Sequence, residues 1–260
     1  TTIVVGGTTI TQGASKASSV ANNASTETIK NDNYMQFAEK YFKDLKLSSG
    51  ATDAFERPAN TWTYKSTEVG TYAKTPDLTY TEKVKTGTIY SDLGLSKGIA
   101  AANTSVYVDG TATGVTKYDI TKGGTDKFGG NGTLTEVYYD SDAGTVTITE
   151  VNTYAGDVTA VSGATSAKNA YVTVAARGAG NGGNIDATGF SVDDVVLFTY
   201  SNKIGEKCVE SVQAAETATG TVSAYTTGTD VTVAGTTYKY SAQFANEAST
   251  TGYNATIVLD

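Results

Sequence analysis

Two stretches of the chain say nearly the same thing: "VTITEVNTYAGDVTAV", residues 146–161, and "KCVESVQAAETATGTVSAY", residues 207–225. Each is a β-like run, a polar break, then Gly-x-Val and a short apolar finish. A repeat narrows the choice of fold, because every copy must form the same unit and bury its apolar face beside its neighbours. Units start near residue 105 ("TSVYVDGTATGVTKYDI"), near 169 ("NAYVTVAARGAGNG") and near 229 ("TDVTVAGTTYKYS"). In the first two, "EVYYDSDAGTVTITEV" and "VLFTYSNKIGEKCVESV" match as hairpins with turns "DSDAG" and "SNKIG". A period of about 60 residues is too long for a solenoid coil and suits a small β-barrel or sandwich module. The third unit reaches "YNATIVLD" where a hairpin is due. It reads either as part of a longer parent chain or as completed by another chain, with residues 1–11 as the donor.

Composition agrees with a β-rich reading. The chain has 46 Thr and 17 Tyr against 8 Leu, a balance that favours pleated, half-buried surfaces over helices. Its 28 Gly and 2 Pro supply many tight turns between short strands. The net charge of −8 repels nucleic acid and anionic membrane, so neither is expected as a partner. With 0 His and 1 Cys, the commonest general base, the commonest metal ligand and any internal disulfide are missing. No apolar run is long enough to span a bilayer as a helix. "TTIVVGG" reads as a mature N-terminus left after cleavage.

The sequence predicts an N-terminal α+β domain over residues 1–97, then β modules over 98–168, 169–228 and, in part, 229–260. Within the first, "NDNYMQFAEKYFKDLKL" places Tyr34, Phe37, Ala38, Tyr41, Phe42 and Leu45 on one stripe and predicts an amphipathic helix over 31–47, with Gly50 as its stop. "TWTYKSTEVGTY" predicts a hairpin turning near Ser66. "DLTYTEKV" predicts a strand, and "TIYSDLGL" a short helix or turn.

The stretch "AFERPANTWTYKSTEVGTYAKTPDLTYTEKV", residues 54–84, resembles the ectodomain of S-layer-like surface proteins of gut Clostridia that carry S-layer homology modules. The pattern is aromatic-x-Arg-Pro, then Trp-Thr-Tyr-Lys, then Gly-Thr-Tyr-Ala, and the later β units look like those of the same group. The resemblance implies an extracellular, wall-associated parent. The wall-gripping modules themselves are not in this sequence, and the group brings no catalytic motif with it.

Candidate sites are few. Asp140 and Asp142 in "DSDAG" have the spacing of a calcium loop, but the loop's twelfth position is Val151 where a bidentate Glu is needed. Calcium is the one cofactor the sequence suggests. Trp62, Tyr64 and Tyr72 are candidates for a glycan-stacking platform, against the alternative of cross-strand packing. Asp193 and Asp194 read as neighbours in a strand, facing opposite sides, and nothing gathers two carboxylates at a cleft as glycoside hydrolysis requires. Alternation puts Cys208 opposite Val209, as a small hydrophobe or an exposed thiol. The expectation is therefore a non-enzymatic structural subunit of a surface layer or extracellular fibre. Copies of itself are the expected partners, with cell-wall polymer reached through parts outside this sequence. An adhesin or glycan-binding module is the alternative.

Overall fold

The structure is a computed structural model and describes residues 2–5, 8–11, 45–113, 118–178, 180–203, 208–244 and 251–259. It is mainly β, as the composition requires. The chain divides into two compact units, Thr1–Pro76 and Asp77–Asp260.

In the first unit, β1 (Thr2–Val5) and β2 (Thr8–Thr11) form an antiparallel hairpin with Val5 opposite Thr8. Strands β3 (Leu45–Thr52), β4 (Pro58–Tyr64) and β5 (Thr67–Ala73) form a three-stranded antiparallel meander. The β4–β5 turn falls on Lys65 and Ser66, both at positive φ (49° and 65°), the conformation that matches hairpin twist. Most of the helix expected at 31–47 lies outside the described residues. Its last three residues are not helical. Leu45, Lys46 and Leu47 stand opposite Tyr64, Thr63 and Trp62 in the β3–β4 ladder. Leu-Lys-Leu fits a two-residue period as well as a helical stripe, and pairing with an aromatic strand decides between them. Gly50 is no helix stop: at φ 93° it is the extra residue of a bulge between Ser49 and Ala51.

The second unit holds three larger sheets in tandem and one two-stranded sheet among the described residues. The first contains β6 (Leu78–Tyr80), β8 (Thr104–Val108), β9 (Thr111–Ala112), β11 (Thr133–Asp140) and β12 (Thr145–Asn152), in the order β6-β11-β12-β8-β9. The β12–β8 pair is parallel. β7 (Val84–Lys85) pairs with β10 (Lys127–Phe128) beside it, and α1 (Thr86–Asp92), the one α-helix among the described residues, buries Ile89 completely. Ile89, Ile99, Ile120, Val137, Val146 and Ile148 share one core. The boundary drawn at 97/98 thus falls inside this module: β6 pairs with β11, and α1 packs on the same core.

The second sheet has the order β15-β14-β13-β16-β17, from β13 (Tyr154–Ser162), β14 (Tyr171–Ala176), β15 (Gly183–Asp186), β16 (Val195–Tyr200) and β17 (Val209–Ala214). It curls until its outer strands meet, so that a Cβ on Gly183 of β15 would lie 3.6 Å from Val209 Cγ2 of β17. The third has the order β20-β19-β18-β21, from β18 (Glu216–Thr226), β19 (Asp230–Val233), β20 (Thr236–Lys239) and β21 (Asn254–Leu259). Its order repeats the first four positions of the sheet before it.

The repeated stretches are the places where the chain passes from one sheet to the next, so the boundaries drawn at 168/169 and 228/229 fall inside sheets, between the paired strands β13 and β14 and the paired strands β18 and β19. β12 ends at Asn152 and β13 begins at Tyr154. β17 ends at Ala214 and β18 begins at Glu216. One residue, Thr153 or Ala215, separates strands of different sheets. Beyond it, Gly156-x-Val158 and Gly220-x-Val222 do the same work. Each Val is buried (0% and 3% exposed) opposite a buried Val, and the next residue is the extra one of a bulge. Each Gly permits a close approach. A Cβ on Gly156 would lie 2.7 Å from the Ala175 carbonyl oxygen, and one on Gly220 would lie 2.7 Å from Ala234 Cβ.

Candidate functional site

A dense polar cluster lies at the first of these joints. Asp109 and Gly110 make the β8–β9 turn, both at positive φ (46° and 75°). The Asp109 side chain is buried. Its Oδ1 accepts the Asn152 N–H at 2.9 Å, and its Oδ2 accepts Asn152 Nδ2 at 2.9 Å and the Tyr154 hydroxyl at 2.6 Å. The Asp109 N–H donates to the Glu150 carbonyl, and the Asp109 carbonyl accepts from the Asn202 N–H. A buried carboxylate is tolerable only when its lone pairs are satisfied, and three donors do this here.

Asn152 carries the cluster further. Its Oδ1 accepts Thr133 Oγ1 at 2.7 Å and Gln243 Nε2 at 2.6 Å, which uses both lone pairs. Asn131 Nδ2 donates to the Tyr240 carbonyl, and the Ala242 N–H donates to the Asn131 carbonyl. Asp109, Asn131, Thr133 and Asn152 belong to the first module, Tyr154 and Asn202 to the second, and Tyr240, Ala242 and Gln243 to the third. The Tyr154 ring packs against Phe198 and Tyr200, with centroids 5.8 and 5.3 Å away. Burial pushes the Tyr154 phenol pKa up, and its bond to Asp109 pushes it further. Tyr200 is raised by burial and by the Asp109 charge. Glu150 is raised chiefly by burial and also by Asp109, while the Gly129 N–H and Lys83 pull it down. The arrangement locks three modules around one carboxylate.

The residues singled out from sequence lie elsewhere. Trp62, Tyr64 and Tyr72 share one face of the β3–β4–β5 sheet, Tyr72 opposite Asn60 and Trp62 opposite Gly70, with the Tyr72 ring folded over Gly70. Trp62 is only 6% exposed, which leaves no indole face for a sugar ring, and Tyr64 lies under Lys65 Nζ at 5.4 Å. Asp140 caps its own hairpin: its Oδ1 accepts the N–H groups of Asp142 and Ala143. Among the described residues no group of three or more Asp, Glu, Cys or His side chains gathers to hold a metal. Asp193 and Asp194 lie in the turn before β16 and not in a strand, with Asp193 at φ 71° and Asp194 Oδ2 accepting the Ser191 N–H. Cys208 is exposed, with its thiol donating to Glu210 Oε1. Glu136 is buried and accepts the Tyr138 hydroxyl.

A second feature was not anticipated. The loop Thr165–Asn169 and the open end of the β14–β15 hairpin border an open polar cleft of about 620 Å³, lined by Lys168, Asn169, Tyr171, Asn184 and Asp186 among others. Asn169 Nδ2 donates to Asp186 Oδ2 at 2.7 Å, which orients both groups at the surface of the cleft.

No family model, no curated protein and no solved structure matches this chain. No helix among the described residues is long and apolar enough to cross a membrane.

Proposed function

We propose that this chain is a structural subunit of a bacterial surface layer or extracellular fibre, assembling with copies of itself through strand edges and module faces. The observation that supports this reading is the pair of single-residue joints, at Thr153 and Ala215, the first locked by the Asp109–Asn152–Tyr154 cluster. Domains that work by moving against each other need slack between them, whereas an array that sets distances in a lattice needs the reverse. Negative-stain microscopy of purified protein tests the reading: ordered sheets or fibres are expected, and monomers under all salt and cation conditions overturn it.

The cleft at Tyr171 favours a second reading, a glycan-binding adhesin. One tyrosine ring beside oriented amide and carboxylate groups suits a hydroxyl-rich ligand. Retardation of the wild-type protein in polysaccharide-containing native gels, lost in Tyr171→Ala, is the expected result under that reading. Equal mobility of both proteins counts against it.

A further inference from the structure

We infer that the loop at residues 129–131 is a proton-operated catch between the first and third modules, and that Glu150 is the side chain that works it. The inference concerns how the modules of one chain hold together and stands apart from the assembly reading above. The loop faces both ways. On its third-module side, the Asn131 carbonyl accepts the Ala242 N–H at 2.8 Å, and Asn131 Nδ2 donates to the Tyr240 carbonyl at 3.1 Å. Gly130 sits so close that a Cβ there would lie 2.9 Å from Ala242 Cβ. On its first-module side, the Gly129 N–H donates to Glu150 Oε1. Gly129 is needed for that approach: its φ is 71°, and a Cβ would lie 2.5 Å from Thr135 Oγ1. Among the described residues, this is the one hydrogen bond of the loop that ends on a titratable group.

The surroundings of Glu150 come from four directions. It is half-buried on β12. From β11, Thr135 stands opposite it in the ladder, fully buried, and the Thr135 hydroxyl has no hydrogen-bond partner. From β8 its ladder neighbour is Val108, and from the β8–β9 turn the Asp109 carboxylate acts on it. From the segment before β7 comes the charge of Lys83, an exposed side chain. The third module reaches the loop through the Tyr240 carbonyl and the Ala242 N–H, neither of which titrates. One acid and one base therefore bear on Glu150, and the acid is already committed to three donors of its own.

A protonated carboxyl suits this place. Its carbonyl oxygen accepts the Gly129 N–H, and the Thr135 hydroxyl is the acceptor at hand for its O–H. An ionised carboxylate suits it less, because it adds a second negative charge near Asp109 in a site partly closed to water. Burial is the larger of these causes, and both outweigh the opposing pull of the Gly129 N–H and Lys83. A group raised in this way contributes to the closed state below its unfolded pKa, and the contribution is lost as pH rises through its folded pKa. When the proton leaves to solvent, the carboxylate turns out toward water and the Lys83 ammonium. The Gly129 N–H then has no acceptor, the loop loosens, and Asn131 lets go of the third module.

Amide hydrogen exchange of the full-length protein tests this, read as protection factors corrected for intrinsic exchange at about pH 5 and about pH 8. In the wild type the Ala242 amide is expected to lose protection as pH rises, by at most about tenfold per pH unit for a one-proton catch. Amides of the β18–β19 ladder are expected to keep theirs. Glu150→Gln, which cannot ionise, is expected to hold Ala242 at its low-pH protection throughout. Lys83→Gln alters only an exposed side chain. It removes the cation that favours the ionised form, so its release midpoint is expected at higher pH than that of the wild type. A flat wild-type profile overturns the inference. So does a Glu150→Gln protein that follows the wild-type profile, since another group is then titrating, and so does a Lys83→Gln midpoint that stays or falls. Loss of protection in the β18–β19 ladder in step with Ala242 overturns it as well, because the third module is then unfolding and not undocking.

Discussion

Replacing Asp109 by Asn changes one atom of the joint and tests it at the residue scale. Asn tolerates the left-handed backbone that Asp109 adopts. It puts an N–H₂ where Oδ2 now accepts both Asn152 Nδ2 and Tyr154 Oη, so a donor meets a donor. The expected cost is about 1–3 kcal/mol, read as a drop in thermal midpoint of about 2–4 °C per kcal/mol for a unit of this size. Glu150 gives a prediction with a pH sign. Its carboxyl holds its proton more tightly in the fold than a free carboxyl does, mainly through burial. Such a group adds stability below its unfolded pKa and loses that contribution as pH rises through its folded pKa. Gln mimics the protonated form while keeping an acceptor for the Gly129 N–H. Glu150→Gln should therefore gain stability over the wild type as pH rises, measured by urea midpoints at about pH 4 and about pH 8. The sequence marks Asp109 only as half of an Asp-Gly turn. Its bonds reach 43 and 45 residues along the chain, a separation that no local pattern encodes.

At the scale of the element, the Gly-x-Val repeat makes a direct claim. Gly156→Ala sets a methyl against a backbone carbonyl, and Gly220→Ala sets one against Ala234, so each should cost about 1–3 kcal/mol by overpacking. Gly163→Ala, where nothing lies within 4 Å, is the control and should be neutral or slightly stabilising. Denaturant unfolding of the three variants decides this. Strands were the readable part of the sequence. The β11–β12 hairpin, the turn at Lys65–Ser66 and the short helix α1 all follow from alternation and turn residues. Residues 45–47 misled because a Leu-Lys-Leu segment serves two periods, and only its β4 partner resolves the choice. The aromatic strand left two readings open for a related reason: a Trp in an alternating strand looks the same whether its face meets solvent or core, and Trp62 is buried.

Across the whole molecule, the sheets of residues 77–260 should melt together as long as the joint holds. Inserting Gly-Ser after Thr153 displaces Tyr154 from Asp109 and should split one calorimetric transition into two; a single unshifted transition contradicts the role given to the lock. Sheet order was not legible from the repeat. β8 pairs in parallel with β12, whereas β13 and β18 occupy the corresponding central positions in the later sheets, a difference set by strand pairing between segments far apart. The joints also govern how this stretch of chain responds to pull. A flexible linker lengthens against entropy alone, at low force. One residue between strands offers no such reserve, so tension passes at once into the hydrogen-bonded ladders on either side. Loaded along its length, the tandem array behaves as an inextensible strut up to the point where a ladder shears.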